Sequence, residues 1–574
     1  MGAFFINHIN SKVSVAALDK IYKEKGFLDP FVVSMGDYQL RLYKKKLLDV
    51  QNFIQRESIS LYACGSIVYN KYNYEKSLKA LLSDYSAGKI DPSALSGNYV
   101  LIFHDRKINK IEFFVDPAFI KNVYFDKVNR VISSDFLAII DAVDNTFTLN
   151  RTAVIENITT GHLISPDTYV NEIQKLDKVN VKELAVDFTG IIFNVIKPDI
   201  VSNLTSRNDA IDHAILTLNS YFLNVASLSN EFGAHIGLTG GFDSRLLLML
   251  GKKHISRLVT NSFWRPDSKE YLHAKELAMV SGKKFFSYEE KPFLKPEWNK
   301  MLDTSFYFYD GQIRSQNRWD EIFSLPEYTS GIAQEHYVGF HGCGGEQYRN
   351  ADRFLRPKSL RSYIQYQWMF KQCKDPFLES KLKWEIYSNI EIKINRLMGF
   401  NISKIDLLLL KRIQNEIWNP ANRTTRLNLL NQQQFYFAPF AEYEVSHSAY
   451  YYTPFLGNSL SFQIDMMRRL DNELAKVQTN YGFNLIEGEP IKFYFIPFIV
   501  NLLPDQWFHS IYFRLKKAQI LSGNESQKKL NENSFFRELS NKIDLTSILN
   551  NINLGSGLIS MNHLLKQLNG KVNL

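Results

Sequence analysis

Short apolar or alternating runs, cut by turn residues, dominate the chain as far as about Lys197. Tyr99–Phe103, Ile111–Val115 and Val131–Ser134 each predict a strand, and helical periodicity intervenes over Tyr74–Ser83 and near Thr152–Ile158. Such a pattern predicts a sheet-rich α+β domain. A polar break from Lys197 to Arg207 predicts a boundary, dividing residues 1–200 from 201–574. Beyond it the rhythm lengthens. A helix is predicted from Asp209 to about Leu228, an apolar strand over Ala234–Leu238 and a helical run through Leu246–Leu250. Strands follow at Leu258–Thr260 and Phe285–Phe286, with a helix after Pro266 through Tyr271–Ala278. Alternation of this kind predicts a parallel sheet with crossover helices. After about Pro357 the pattern is mainly helical, and Asn524–Leu574 is polar and Asn-rich.

A chain of 574 residues exceeds what one core holds, which agrees with two domains. The net charge of +9 admits an anionic substrate. Its lysines, however, fall in short runs such as Lys44–Lys46 and Lys516-Lys517 that read as solvated faces, which argues against nucleic-acid binding. Cys64, Cys343 and Cys373 form no CxxC pair and no zinc-type cluster. No secretory pattern opens the chain, and the acylation pattern fails at Ile6, where Ser or Thr is needed. The apolar stretch Phe493–Leu503 is too short to span a bilayer and is broken by Pro497, so a cytoplasmic protein without a membrane span is expected.

The most telling chemistry lies at Gly237-Leu238-Thr239-Gly240-Gly241-Phe242-Asp243-Ser244-Arg245, where the predicted strand turns into the predicted helix. Glycines leave backbone N–H groups uncovered, and the helix start adds its positive dipole end, a combination suited to phosphate. Asp243 is placed to share a Mg²⁺ ion with bound phosphates. No Gly-Lys-Ser/Thr follows, so a γ-phosphate-transferring P-loop is not indicated. The plainer alternative is a tight turn with an Asp-Ser helix cap.

Other segments extend the pattern. Gly65-Ser66-Ile67-Val68-Tyr69-Asn70, Gly97-Asn98-Tyr99-Val100 with His104-Asp105, and Asp116-Pro117 with Ser133-Ser134-Asp135 follow in order through the first half. The second half carries Asp267-Ser268-Lys269-Glu270, Gly339-Phe340-His341-Gly342-Cys343-Gly344-Gly345-Glu346 and Pro439-Phe440-Ala441-Glu442. Over roughly Leu61–Phe455 this arrangement resembles the asparagine synthetase family. The resemblance implies an α+β amidotransferase-like (Ntn) sandwich over residues 1–200. It implies an α/β ATP-pyrophosphatase domain over 201–574, of the PP-loop, adenine nucleotide alpha-hydrolase-like type, with a helical C-terminal part.

Departures from the family shift its meaning. Glutaminase members carry a cysteine directly after the initiator Met, where this chain has Gly2, and Cys64 and Ser66 stand where Asn and Glu are expected. No glutaminase activity is therefore expected. The chain is more similar to members that join an amine directly, such as β-lactam synthetases and lasso-peptide cyclases, and to asparagine-synthetase-like proteins of surface-polysaccharide clusters. By that resemblance a carboxylate attacks ATP, pyrophosphate leaves, and an amine or ammonia captures the acyl-adenylate. The carboxylate belongs to a small molecule, glycan or peptide. ATP and Mg²⁺ are the implied cofactors, and a homodimer is left open.

Site roles follow residue by residue. Leu238, Thr239, Gly240, Gly241 and Ser244 would hold pyrophosphate, together with Gly344 and Gly345 of the second loop, and Arg245 and Arg349 beside the loops would meet phosphate or carboxylate. Asp243 and Glu346 would bind Mg²⁺, the alternative for Glu346 being an acid stabilised at a helix N-terminus. Cys343 and His341 are the two candidate bases for the amine, each with a packing or hydrogen-bonding alternative. Lys516, in Arg514-Leu515-Lys516, would steady the adenylation transition state. A non-catalytic binding or regulatory protein and a tRNA-modifying enzyme are the competing readings.

Overall fold

A computed structural model describes residues 2–44, 48, 50–200, 202–262, 264, 266–287, 306, 307, 309–311, 335–350, 359–365, 380–457 and 459–491, with 493, 495, 502, 536, 558, 561, 562, 564–566 and 571–573. Among the described residues, twelve strands lie in the first two hundred positions. They are β1 (Ala3–His8), β2 (Phe31–Met35), β3 (Tyr38–Tyr43), β4 (Phe53–Gln55), β5 (Ile59–Tyr69) and β6 (Leu95–Asp105). Next come β7 (Lys110–Val115), β8 (Tyr124–Asp126), β9 (Val131–Ser133), β10 (Phe147–Thr148), β11 (Ile173–Lys175) and β12 (Ile191–Val195). Eleven of these strands build two sheets, ordered β11-β8-β9-β1-β3-β2 and β12-β7-β6-β5-β4. Every pairing is antiparallel except that of β12 with β7.

Side-chain alternation along the strands explains how the sheets stack. In β1, Phe4 and Ile6 share a core with Tyr62, Cys64, Val100 and Phe113 of the other sheet. Ala3 and Phe5 point the opposite way, into a core with Leu18, Ile21 and Tyr22 of the helix Val15–Glu24. On the far sheet, Leu61, Ala63 and Leu101 meet Leu78 and Leu81 of the helix Tyr74–Ser86 and Leu218 of the helix Arg207–Phe232. Four layers result, two sheets between two layers of helix. Asn73 caps Tyr74–Ser86 and Asn150 caps Arg151–Thr160, each accepting from an N–H in the first turn.

A second sheet system begins at β13 (Ala234–Gly237), joined by β14 (Leu258–Ser262), β15 (Phe285–Ser287), β16 (Val338–Phe340) and β17 (Phe435–Phe437). All its pairings are parallel and its order is β15-β14-β13-β16-β17. Helices Phe242–His254 and Lys269–Ser281 make the first crossovers. The chain runs outward from β13 to β15 and then returns to the other side of β13 with β16. The order in which strands are added therefore reverses between β13 and β16, the place where open α/β sheets bind ligands. After Pro357 the described elements are mainly helical, as expected, but Phe435–Phe437 is a strand that completes this sheet. A last strand, β18 (Val572–Asn573), pairs in parallel with β10. Among the described residues no helix is long and apolar enough to cross a membrane. The protein is thus mixed α/β, with largely antiparallel N-terminal sheets and a separate parallel sheet.

Candidate active site

The glycine loop leaves β13 and enters the helix Phe242–His254 beside that reversal. Thr239 folds it: its N–H donates to Ser244 Oγ at 3.2 Å, and its Oγ1 accepts from the Gly241 N–H at 3.1 Å. Gly240 passes so close to Asn480 that a Cβ there would lie 1.8 Å from Asn480 Oδ1, and the Asn480 N–H donates to the Gly240 carbonyl. Gly241 stands at the helix N-cap, where no side chain caps the first-turn N–H groups. Leu238 takes less part than expected. Its side chain is buried in the core and its N–H donates to the Asn261 carbonyl at 2.7 Å.

Across the reversal, β16 leads to the second loop. Gly344 has φ +91° and lies against the Phe440 carbonyl, so it takes a backbone shape that a side chain would strain. Gly345 begins the short turn Gly345–Tyr348 directly over Asp243, and a Cβ on it would lie 2.3 Å from Asp243 Oδ1. The two motifs, about a hundred residues apart in sequence, are in van der Waals contact. Lys411, from the helix Leu407–Ile413, donates to the carbonyls of Glu346 and Arg349 at 2.6 and 2.7 Å and so pins the far end of that turn. Neither Lys411 nor Asn480 carries a sequence signal that marks it beforehand.

Arg349 decides the electrostatics here. Its Nη1 donates to Asp243 Oδ1 and its Nη2 to Asp243 Oδ2 at 3.1 Å, a bidentate pair. Gln463 braces both partners, accepting from Arg349 Nη1 at 2.7 Å and donating to Asp243 Oδ1 at 3.3 Å. Burial pulls the Arg349 guanidinium down, but the adjacent Asp243 more than offsets this and holds it above the ordinary range. Both oxygens of Asp243 are thereby taken, and the second glycine loop closes over one of them. Among the described residues no group of three His, Cys, Asp or Glu is placed to hold a metal. That alone leaves room for Mg²⁺, which needs only one or two carboxylates beside phosphate. The occupied Asp243 does not: as arranged, the expected Mg²⁺ pair of Asp243 and Glu346 does not fit the ion. Glu346 stays on the same turn, close enough for its charge to act on Arg349 and Cys343.

Other expected roles change as well. Cys343 is buried, and burial pushes its thiol up to about 12, so it is protonated at neutral pH and packs rather than accepts a proton. His341 Nδ1 accepts from the Cys343 N–H at 3.1 Å, so the lone pair that would take a proton already faces a donor. Arg245 is fully buried and donates to the carbonyls of Leu474, Val477 and Gln478, which places it under the loop and away from phosphate. Lys516, with Arg514 and Leu515, lies outside the described residues.

The motif residues of the N-terminal half serve its contact with the rest of the chain. Ser66 Oγ donates to Asn431 Oδ1 at 2.6 Å and accepts from the Tyr436 N–H at 2.7 Å, while Asn98 Nδ2 donates to the Tyr436 carbonyl. Gly97 N–H donates to Glu442 Oε2 at 2.7 Å, and the Tyr221 hydroxyl donates to Glu442 Oε1 at 2.5 Å. Gly2 has φ +83° and a Cβ there would lie 2.2 Å from the Tyr43 carbonyl oxygen, so the position accepts no side chain without rearrangement. Cys64 donates its S–H to the Gly2 carbonyl at 3.0 Å, inside the core between the sheets.

Fold and site together define a mixed α/β protein with two glycine loops meeting at the switch point of a parallel sheet. No protein-family model matches the chain, and no curated protein matches it. Among solved structures, a glutamine-dependent NAD⁺ synthetase from Acinetobacter baumannii, in complex with ADP, is similar at 12% identity. The match covers 60% of this chain and 76% of that one with a TM-score of 0.18, too low to establish a shared fold or activity.

Proposed function

We propose that this protein forms an amide bond by activating a carboxylate with ATP. The substrate carboxylate attacks the α-phosphorus, the bond to the β-phosphate oxygen breaks, and pyrophosphate departs. An amine or ammonia then attacks the acyl-adenylate, releasing AMP and a proton. The observation that carries this reading is the meeting of the two glycine loops where strand order reverses. There the uncapped first turn of Phe242–His254 offers N–H groups and a positive dipole end to the departing pyrophosphate. Arg349 supplies fixed positive charge beside them. On this reading Glu346 accepts the amine proton, since the Cys343 thiol is protonated and the His341 lone pair is engaged.

The amine does not come from glutamine within this chain on this reading. The crowded Gly2 position and the structural work of Ser66 support that, leaving the N-terminal half as an amidotransferase-like scaffold. The second half is then an ATP-pyrophosphatase-type domain. One observation favours a second reading, a non-catalytic nucleotide-binding protein: Asp243 is engaged by Arg349. Exchange of labelled pyrophosphate into ATP, run against a panel of small-molecule, uronic-acid and peptide carboxylates, separates them. Exchange that depends on one carboxylate class, with AMP as product, is expected. Binding of a nucleotide analogue with no exchange for any carboxylate sinks the ligase reading and leaves the second.

A further inference from the structure

We propose that Arg349 is the resident counter-cation of Asp243 and itself a phosphate ligand, so that a polyphosphate binds at the Thr239–Ser244 loop without a divalent metal. This rests on the reading that the loop receives the phosphates of a nucleotide.

Three features make the pair a built one. Its geometry is a two-point fork between planar groups, the arrangement guanidinium and carboxylate favour. Its side chains are largely withdrawn from water, at 12% and 26% exposure, and Gln463, wholly buried, bonds to both. The backbone on either side is held too. Gly345 seats against Asp243 Oδ1, and Lys411 fixes the Arg349 carbonyl. A Mg²⁺ ion needs near-ideal octahedral coordination with several waters. Room for that beside Asp243 exists only if the Arg349 guanidinium leaves.

The guanidinium also has capacity to spare. Of its five N–H donors, three are used, on Asp243 twice and on Gln463 once. The remaining two donate to no described group. Arg349 sits 5.9 Å from the centroid of the Phe242 ring, at the first residue of the helix whose N-terminus faces the loop. A phosphoryl oxygen accepting from it would meet the first-turn N–H groups at the same time. In this arrangement Asp243 orients the arginine, and the arginine's spare N–H groups hold the phosphoryl oxygen that a metal would otherwise coordinate.

Calorimetry with α,β-methylene ATP and with inorganic pyrophosphate, each in EDTA and again in Mg²⁺, tests this on the wild-type protein, without depending on a variant that folds. Affinity that differs by less than about threefold between the two buffers is expected. Arg349→Gln should weaken binding in EDTA by at least about tenfold, the loss of one charge-assisted contact, and regain it in Mg²⁺ because Asp243 is uncovered. Electron paramagnetic resonance of Mn²⁺ gives a readout free of nucleotide. The ion should stay free with wild type, bind to Arg349→Gln, and be released again when Asp243→Asn is added. Wild-type binding that appears only with Mg²⁺, or Mn²⁺ held by the wild-type loop, overturns the proposal and leaves the nucleotide reading standing. No binding of either phosphate compound in either buffer overturns both.

Discussion

Two arginines, one beside each glycine loop, show how little residue type says about duty. Arg349 faces an acid. Arg245 faces three carbonyls, one within the helix Asn472–Lys476 and two just after it, with no carboxylate among the described residues hydrogen-bonded to it. Burial lowers the Arg245 guanidinium to about 10, still well above neutrality, so a full charge is held in the core by backbone dipoles. Replacing it by Ala strands those carbonyls, and Lys offers a point charge where a planar fork is needed. Arg245→Ala should cost about 3 kcal/mol or more in urea unfolding, with Arg245→Lys recovering less than half. Full recovery by Lys would show that charge alone matters and that the three-carbonyl geometry does not. In the sequence, the neighbouring Asp243 and Ser244 point Arg245 toward the phosphate site. Its position in the first turn of the helix Phe242–His254, directly before the apolar run Leu246–Leu250, is the sign that it points to the core.

At the scale of elements, the site is a contact between two turns, and glycine permits it. Placing a methyl on Gly345 requires either turn to retreat from Asp243, and the backbone of the first turn is tied through Thr239, Ser244 and Asn480. Gly345→Ala should therefore lower stability by about 2 kcal/mol and weaken nucleotide-analogue binding together, since overpacking a tight contact costs of that order. Gly240→Ala meets the movable end of Asn480 and should cost less. Equal losses in both variants, read by thermal unfolding, would refute the idea that the turn-to-turn contact is the rigid one. The elements themselves were largely legible. Ala234–Leu238 is apolar and ends in glycine, so β13 and its loop stand out, and the strands Leu95–Asp105 and Lys110–Val115 show in their apolar runs. Phe435–Phe437 was not, because it is three residues long and follows Asn431-Gln432-Gln433-Gln434, where no period exists. Nor does any local pattern reveal that Asp243 meets Arg349, a pairing made only when β16 lands beside β13. The two loops could be found in the sequence; their mutual occupation could not.

The whole molecule is held across its halves by buried polar groups, and that has a consequence in pH. Glu442, in the loop after β17, accepts from Gly97 of β6 and from Tyr221 of the helix Arg207–Phe232, and burial pushes its carboxyl up to about 7 from an ordinary 4.5. Asp116, just after β7, is raised to about 7 for the same reason, and its charge adds to the ionisation cost at Glu442. Between about pH 4.5 and 7 the unfolded chain has lost these protons while the folded chain keeps them. The unfolded state then binds fewer protons, so stability falls as pH rises through this window and levels off above it. Below the window both states are protonated and the difference vanishes. Glu442→Gln keeps the shape, with its carbonyl oxygen accepting from Gly97 and its amide donating to a rotated Tyr221 hydroxyl, but removes the ionisation. Its share of the slope, up to about 3 kcal/mol across the window, should disappear, making the variant more stable than wild type at pH 8 and equal or weaker at pH 4.5. Urea midpoints taken across that range check it. A variant that is less stable than wild type at pH 8, with the wild-type slope intact, would mean that Glu442 is ionised at neutral pH and that its charge, met by the Gly97 and Tyr221 donors, favours the closed interface.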